Sequence, residues 1–366
     1  MTDPAPRVAF LTGATGFLGA NLLTALLTRT RLEVRCLVRA PDAAAADAAL
    51  RRALEAQGLW QAEFADRVRT VVGDLAQRRL GMTDDAFRAL GESVGAIYHS
   101  GAHLNLFAPY RVLEPTNVNG TREVLGLAAL GAQTFHHISS LVVLGSCPAT
   151  VPGDCEPFEP PSEPPDSGYA RSKWAAERLV CEAAARGLSA SIYRPGRITG
   201  HSRTGVCAQR DALSLIASGT IHLGIAPALD AVIHLTPVDV VSRAIVDLSS
   251  RREAAGRAFH LINPAAIAWH QLTEALTTLG YVRETISYEA WRDLLLSRQP
   301  AAADPLLDLV TVLVSRSQPL FSPRRRTVAD GHVRSMLADL AYPTDHVALL
   351  ARYASHLART LSAPAG

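Results

Sequence analysis

Short apolar runs alternate with segments of helical periodicity through the first half of the chain. The runs Arg7 to Leu11, Glu33 to Val38, Val68 to Val72 and Ala96 to His99 have strand length. The segments between them, Phe17 to Leu27, Asp42 to Gln57 and a stretch near Asp84 to Leu90, repeat their apolar residues every three or four positions. The alternation continues through a helix at Thr121 to Leu130, a strand at Thr134 to Ile138, a helix carrying Tyr169 and a strand at Ser189 to Tyr193. Repeated β-α-β order predicts an α/β fold with a doubly wound parallel sheet and right-handed crossovers, and it places ligands at the carboxyl ends of the strands. Between Cys147 and Ser167, the residues Pro157, Pro160, Pro161, Pro164 and Pro165 oppose both helix and central strand and predict a surface loop. Beyond about residue 200 the alternation weakens into mainly helical segments with isolated strands such as Arg257 to Ile262. Two domains are expected: residues 1–200, with returning segments near 234–263, and a smaller, mainly helical substrate domain over 201–366.

Composition narrows this picture. With 366 residues, 48% of them hydrophobic and 19% charged, the chain can bury a full core. A formal net charge of +2 gives no reason to expect nucleic acid. The one dense basic cluster, Arg324-Arg325-Arg326, is expected to be a solvated loop edge. Five scattered cysteines (Cys36, Cys147, Cys155, Cys181, Cys207) form no Cys-x-x-Cys, so neither a disulfide framework nor a metal site is expected. The first residues, Met1 to Pro6, lack a basic region followed by an apolar core, and no uninterrupted apolar run reaches about 18 residues. A cytoplasmic monomer without membrane insertion is the expectation.

The chemistry begins at Thr12-Gly13-Ala14-Thr15-Gly16-Phe17-Leu18-Gly19, directly after the first strand and at the opening of the first helix. The pattern Gly13-x-x-Gly16-x-x-Gly19 suits a tight turn, close backbone approach to a pyrophosphate, and close packing of helix on strand, the signature of a Rossmann-type dinucleotide site. The second strand ends in Arg39. An acidic residue there would hold a ribose 2′-hydroxyl, whereas an arginine can receive a 2′-phosphate, so NADPH is expected; Asp42, three residues on, is the counter-signal. Asp74 after the third strand is placed to meet the adenine, or simply to form a turn. Among the 36 lysine and arginine side chains a single lysine occurs, Lys173, four residues after Tyr169. That spacing puts phenol and ammonium on one helix face, where the ammonium would lower the phenol pKa and its rotatable donors could hold ribose hydroxyls. Ser140, at the end of Phe135-His136-His137-Ile138-Ser139-Ser140, lies where a substrate carbonyl would sit. The alternatives are that the serines satisfy backbone groups at a strand end and that His136 and His137 are packing or surface residues.

Taken together these residues resemble the extended short-chain dehydrogenase/reductases. Within them the chain is most similar to the terminal thioester reductase domains of nonribosomal peptide synthetases and carboxylic acid reductases. The likeness rests on Thr12 to Gly19, Leu37-Val38-Arg39-Ala40, Gly58-Leu59-Trp60, Gly73-Asp74-Leu75, Ile97 to Asn105 with Pro109-Tyr110, Asn117-Val118-Asn119-Gly120-Thr121, and Tyr193-Arg194-Pro195-Gly196-Arg197-Ile198. It covers about the first 200 residues, and Leu235 to Asp239 more thinly. The resemblance implies a catalytic set of Ser140, Tyr169 and Lys173. It also implies cofactor contacts from Thr12, Gly13, Thr15, Gly16, Phe17, Leu18, Gly19, Arg39, Asp74, Leu75, Ser100, Gly101, Ala102, Tyr169, Lys173, Tyr193, Pro195 and Arg197. Two positions depart from the family: Ser140 stands where threonine is commoner, and Ala49 where a second phosphate-binding arginine is common, which leaves Arg39 with Arg51 or Arg52 near by. The implied reaction is NADPH-dependent release of an acyl or peptidyl thioester, carried on the phosphopantetheine of a carrier protein, as an aldehyde or, after a second reduction, an alcohol. Arg324 to Arg326 would then be able to meet the carrier or the pantetheine phosphate. No carrier sequence precedes Arg7, so a carrier is expected to act in trans or to have been removed. A fatty acyl-CoA reductase, a sugar-nucleotide epimerase or dehydratase, and a non-catalytic NADP(H)-sensing protein are the alternatives, the last expected to lack the Tyr-Lys pair.

Overall fold

The computed structural model describes residues 7–145, 154–208, 211–297, 310 and 327–362. The Arg324 to Arg326 cluster and Cys147 lie outside the described residues. In chain order the elements run β1 (Val8–Thr12), α1 (Phe17–Arg29), β2 (Glu33–Val38), α2 (Ala43–Glu55), β3 (Val68–Val72), α3 (Asp84–Ser93), β4 (Ala96–His99), α4 (Tyr110–Glu114), α5 (Gly120–Ala128), β5 (Thr134–Ile138), α6 (Gly168–Ala185) and β6 (Ala190–Pro195). They continue with β7 (Ile198–Thr199), α7 (Ala212–Leu223), β8 (Ile225–Ala228), β9 (Val232–His234), β10 (Thr236–Pro237), α8 (Val238–Ser249), β11 (Ala258–Leu261), β12 (Ala266–Ala268), α9 (Trp269–Thr278), β13 (Glu284–Ser287), α10 (Tyr288–Ser297), α11 (Gly331–Met336) and α12 (His346–Ser362).

One compact unit comprises residues 1–196, 239–261 and 327–340. Its core is a seven-stranded sheet in the order β11-β6-β5-β4-β1-β2-β3, with every pairing parallel. Strands such as β1 and β6 are buried along nearly their whole length, as a sheet covered on both faces requires. On one face Phe10, Ile97, Phe135 and Ile192 pack against Phe87 and Leu90 of α3, Val124 and Leu127 of α5 and Val180 of α6. The other face carries α1, α2 and α8: Arg29 of α1 pairs with Asp247 of α8, Thr70 of β3 bonds Asp47 of α2, and the Tyr98 hydroxyl bonds Ser249. Leu22, Leu23 and Leu26 of α1 are fully buried, each contributing about 1.5–3 kcal/mol.

The expected helix at Thr121 begins eleven residues earlier in the structure. From Tyr110 to Ala128 the chain stays helical, with a π turn at Pro115–Asn119 joining α4 to α5. Pro115 lacks the donor that a regular turn would need, and the wider π turn accommodates that loss. This turn buries Asn117.

The second unit comprises residues 197–238, 262–326 and 341–366. Helices α7, α9, α10 and α12 are its bulk, with the short pairings β10-β7, β12-β9 and β13-β8. Among the described residues no helix is long and apolar enough to cross a membrane.

Candidate active site

The turn after β1 is closed to side chains. Gly13 has φ +79°, and a Cβ there would lie 2.7 Å from Gly101 Cα; one on Gly19 would lie 1.9 Å from the Gly13 carbonyl oxygen. Both contacts are with backbone, so neither can relax cheaply. The helices α2 and α6 begin with side-chain caps from Asp42 and Ser167, but α1 begins at Gly16 with no side-chain cap and no acid in its first turn. Its first amides, at Phe17, Leu18 and Gly19, are therefore left for an anion. A glycine cradle against an uncapped helix start fits a dinucleotide pyrophosphate. Thr15 is exposed at the tip of the turn, and Leu75 lies over Gly101.

Arg39 stands exposed just past β2, with no ion pair or hydrogen bond among the described residues. The counter-signal is accounted for differently: Asp42 uses its carboxylate to accept from Ala45 N at 2.8 Å as the α2 cap. Arg51 is also engaged, with Glu55 at 2.8 Å and over the Trp60 ring. Asp74 accepts from Ala76 N at 2.9 Å, so one of its oxygens closes a turn.

Behind the cradle runs a chain of buried hydrogen bonds whose proton directions are fully determined. Gly101 N donates to Thr12 Oγ1 (2.9 Å), and Thr121 Oγ1 donates to the Asn117 carbonyl (2.6 Å). His99 Nε2 must then carry the proton given to Thr121 Oγ1 (2.9 Å), and Nδ1 must accept from Thr12 Oγ1 (2.8 Å). Burial, reinforced by the Lys173 charge, pushes the His99 pKa down to about 3, consistent with this neutral tautomer. The chain continues from Asn117 Nδ2 to Ser172 Oγ (2.9 Å), and from Ser172 Oγ to the Tyr169 carbonyl (2.8 Å). The nucleotide turn and the first turn of α6 are thereby held in register.

Helix α6 presents Tyr169 and Lys173 on its buried face, at 7% and 4% exposure. The Lys173 ammonium donates to Ile138 O at 2.7 Å, which draws this face of α6 to the end of β5, two residues before Ser140. Ser140 is half-buried and caps a short 3-10 turn over Leu141–Leu144, with a long contact of 3.4 Å to Val142 N. Ser139 is the deeper of the two serines, and its hydroxyl has no partner among the described residues. The effect on Tyr169 is opposite to the sequence expectation. Burial pushes its phenol up to about 12, because the phenolate would be desolvated, while the Lys173 ammonium is turned toward Ile138 O. Burial likewise pulls Lys173 down to about 8, with Glu177 acting to raise it.

His136 and His137 are interior residues. His136 stacks on Tyr98 at 4.6 Å and bonds the Tyr193 hydroxyl at 3.1 Å, so the Tyr193 phenol is committed to the core. His137 is fully buried with neither ring nitrogen partnered among the described residues. Ser100 and Ala102 flank Gly101 at the end of β4, and Pro195 ends β6. Arg197 belongs to the second unit, where burial lowers its pKa and Asp211 opposes that shift.

Arg194 is the residue whose part was least visible in the sequence. Fully buried, it gives all five donors: Nε and Nη2 to Glu177, the other Nη2 proton to Phe158 O, and the Nη1 protons to Pro157 O and His260 Nε2. Glu177 lies one turn beyond Lys173 on the same helix face, so this pair fastens α6 to β6 and to the Pro-rich loop.

Known proteins place this architecture. Residues 11–245 match a family of NAD-binding domains described as male sterility protein. The chain is 40% identical over 293 residues to a component of the linear gramicidin synthase of Brevibacillus parabrevis, covering 79% of this chain and 6% of that protein. It is 33% identical over 362 residues to the aldehyde reductase lnbA of Aspergillus flavus (strain ATCC 200026 / FGSC A1120 / IAM 13836 / NRRL 3357 / JCM 12722 / SRRC 167), covering 95% of this chain and 34% of that one. It thus spans only a minor part of the length of these curated relatives. Among solved structures, the terminal R domain from the myxalamid PKS-NRPS biosynthetic pathway is 38% identical, with a TM-score of 0.89, over 100% of this chain and 94% of that one. With the nucleotide cradle and the Tyr169-Lys173 helix, these matches show that the chain belongs to the extended short-chain dehydrogenase/reductases, a family of nicotinamide-dependent oxidoreductases, and within it to the terminal reductase domains of nonribosomal peptide synthetases.

Proposed function

We propose that this domain uses NADPH to reduce an acyl or peptidyl thioester, presented on the phosphopantetheine of a carrier domain, to the aldehyde, and that it can reduce that aldehyde again to the alcohol. The observation that carries this proposal is the hydrogen bond from Lys173 to Ile138 O, which brings the buried face of α6 to the strand end bearing Ser140. Phe17, Leu18 and Gly19 hold the pyrophosphate with their amides, Arg39 meets the 2′-phosphate, and Lys173 anchors the nicotinamide ribose. When bound, the nicotinamide supplies a hydride to the carbonyl carbon. Tyr169, kept protonated by its burial, gives its phenolic proton to the carbonyl oxygen, and Ser140 donates a hydrogen bond to the same oxygen. The resulting thiohemiacetal breaks its C–S bond, leaving aldehyde and free pantetheine thiol. Cys36, Cys155, Cys181 and Cys207 are free thiols, which supports a reducing, cytoplasmic setting.

Loss of NADPH absorbance with acyl-pantetheine and acyl-carrier thioesters of several lengths, together with aldehyde detection, tests the proposal. Oxidation with thioesters is expected; turnover of a sugar nucleotide with none of any thioester would overturn it. Removing the exposed Arg39 charge by Arg39→Ala is expected to weaken NADPH binding by about 1.5–3 kcal/mol, roughly ten- to a hundredfold, and to leave NADH binding unchanged. Titration calorimetry with both nucleotides measures the difference. Lys173 is charged below about pH 8 and neutral above it, so kcat/KM is expected to fall as pH rises through that value. Lys173→Arg, which keeps a charge that does not titrate there, is expected to lose about tenfold or more in turnover, roughly 1.4 kcal/mol, and to lack the falling limb.

A further inference from the structure

The segment that follows β4 lies directly against the start of α6. A Cβ on Gly168 would meet the Ala108 carbonyl oxygen at 2.3 Å and Tyr110 N at 2.7 Å, so this segment borders the turn that carries Tyr169. It is firmly built: Asn117 accepts from His103 N at 2.7 Å and donates to His103 O at 3.1 Å. Asn105 Oδ1 accepts from both Phe107 N and Ala108 N at 3.0 Å. Such an ordered segment could have kept its apolar side chains inside. Instead Leu104 is 62% exposed, Leu106 43% and Val112 47%. Three of the seven exposed large apolar residues among those described fall in these nine positions, which makes them a local feature rather than ordinary surface scatter.

Cations flank them. Arg111, Arg122 and Arg171 are exposed, and none pairs with a carboxylate among the described residues. Arg171 stacks over the Tyr110 ring at 5.5 Å, and both Arg171 and Arg122 lie close enough to Tyr110 to influence its phenol electrostatically. Glu114 accepts from the Tyr110 hydroxyl at 3.3 Å, and Glu123, next to Arg122, accepts from Arg79 N at 2.7 Å. Three exposed guanidiniums beside exposed leucines suit an anionic partner with an apolar face.

We infer that Leu104, Leu106 and Val112, flanked by Arg111, Arg122 and Arg171, form the docking surface for the carrier domain that delivers the thioester. This rests on the proposed thioester reduction. The phosphodiester joining pantetheine to its carrier bears a negative charge, and any acidic groups around that linkage add to it, so the arginines meet charge where the arm leaves the carrier. Docking here sets the carrier beside the turn bearing Tyr169. Association of this kind is brief, in keeping with a modest surface that must release its partner after each turnover.

The test compares one acyl group in two forms, attached to a carrier domain and attached to free pantetheine, with the wild-type chain and with Leu104→Asp, Arg111→Glu and the double variant. For the carrier-bound thioester kcat/KM is expected to fall roughly tenfold or more, and for the free pantetheine thioester it is expected to stay unchanged. In parallel, calorimetry with a phosphopantetheinylated carrier bearing no acyl group reads docking without turnover. Binding is expected to weaken in the variants, and wild-type binding to weaken as salt is raised. Equal loss for both substrates, or no loss of carrier binding in the double variant, would overturn the docking surface. Absence of any thioester reduction by the wild type would instead remove the proposed reaction, while the calorimetry still decides the surface.

Discussion

Replacing Tyr169 with phenylalanine is expected to lower kcat for thioester reduction by about 10²–10⁴-fold, roughly 3–5 kcal/mol of transition-state stabilisation, while NADPH binding survives. The substitution removes one oxygen and keeps the buried ring that packs α6 against the sheet. No hydrogen bond holds the phenol oxygen to a described neighbour, so little stability depends on it. Burial keeps the oxygen protonated throughout the neutral range, with a pKa near 12, so the proton to be transferred is present there. The glycine cradle and the uncapped start of α1 are untouched, so nucleotide affinity is retained. Single-turnover reduction measured beside equilibrium NADPH binding separates the two effects. Wild-type single-turnover rates in Tyr169→Phe would remove this residue as the proton donor.

Arg194→Leu is expected to cost about 3–5 kcal/mol of stability, because it strands the Glu177 carboxylate in the interior without a counter-charge. Pro157 O, Phe158 O and His260 Nε2 lose donors at the same time. A urea titration followed by tryptophan fluorescence reads the loss as a lower midpoint. Leucine at both positions should recover part of the loss, since an apolar pair of similar size leaves no charge to bury. An unchanged midpoint in the single variant would show that solvent reaches Glu177. A loosened α6 also displaces Tyr169 and Lys173, so turnover should fall with stability in the single variant.

Features that depend on short stretches of chain were legible before any coordinates. The glycine turn announces itself because three glycines must fall at fixed spacing between a strand and a helix. Tyr169 and Lys173 share a face because four residues make roughly one helical turn. The alternation of apolar runs and amphipathic segments was enough to place the strands and helices of the first half along the chain. The helix expected from Thr121 falls short of the real one: a π turn at Pro115–Asn119 carries it back to Tyr110 and buries Asn117. Asp42 looked like a ribose ligand and is a helix cap.

By itself, then, the sequence determined the doubly wound fold and the glycine turn, and it singled out Ser140, Tyr169 and Lys173 as candidates, since each is written in residues close along the chain. Tertiary structure alone decided how those groups are held and charged. Thr12 meets His99 across 87 positions, Arg194 meets Glu177 across 17 and His260 across 66. It also decided that burial, not the neighbouring ammonium, governs the Tyr169 phenol. Desolvation and hydrogen-bond partnership depend on what the folded chain packs around a group, and that environment comes from segments far away in sequence.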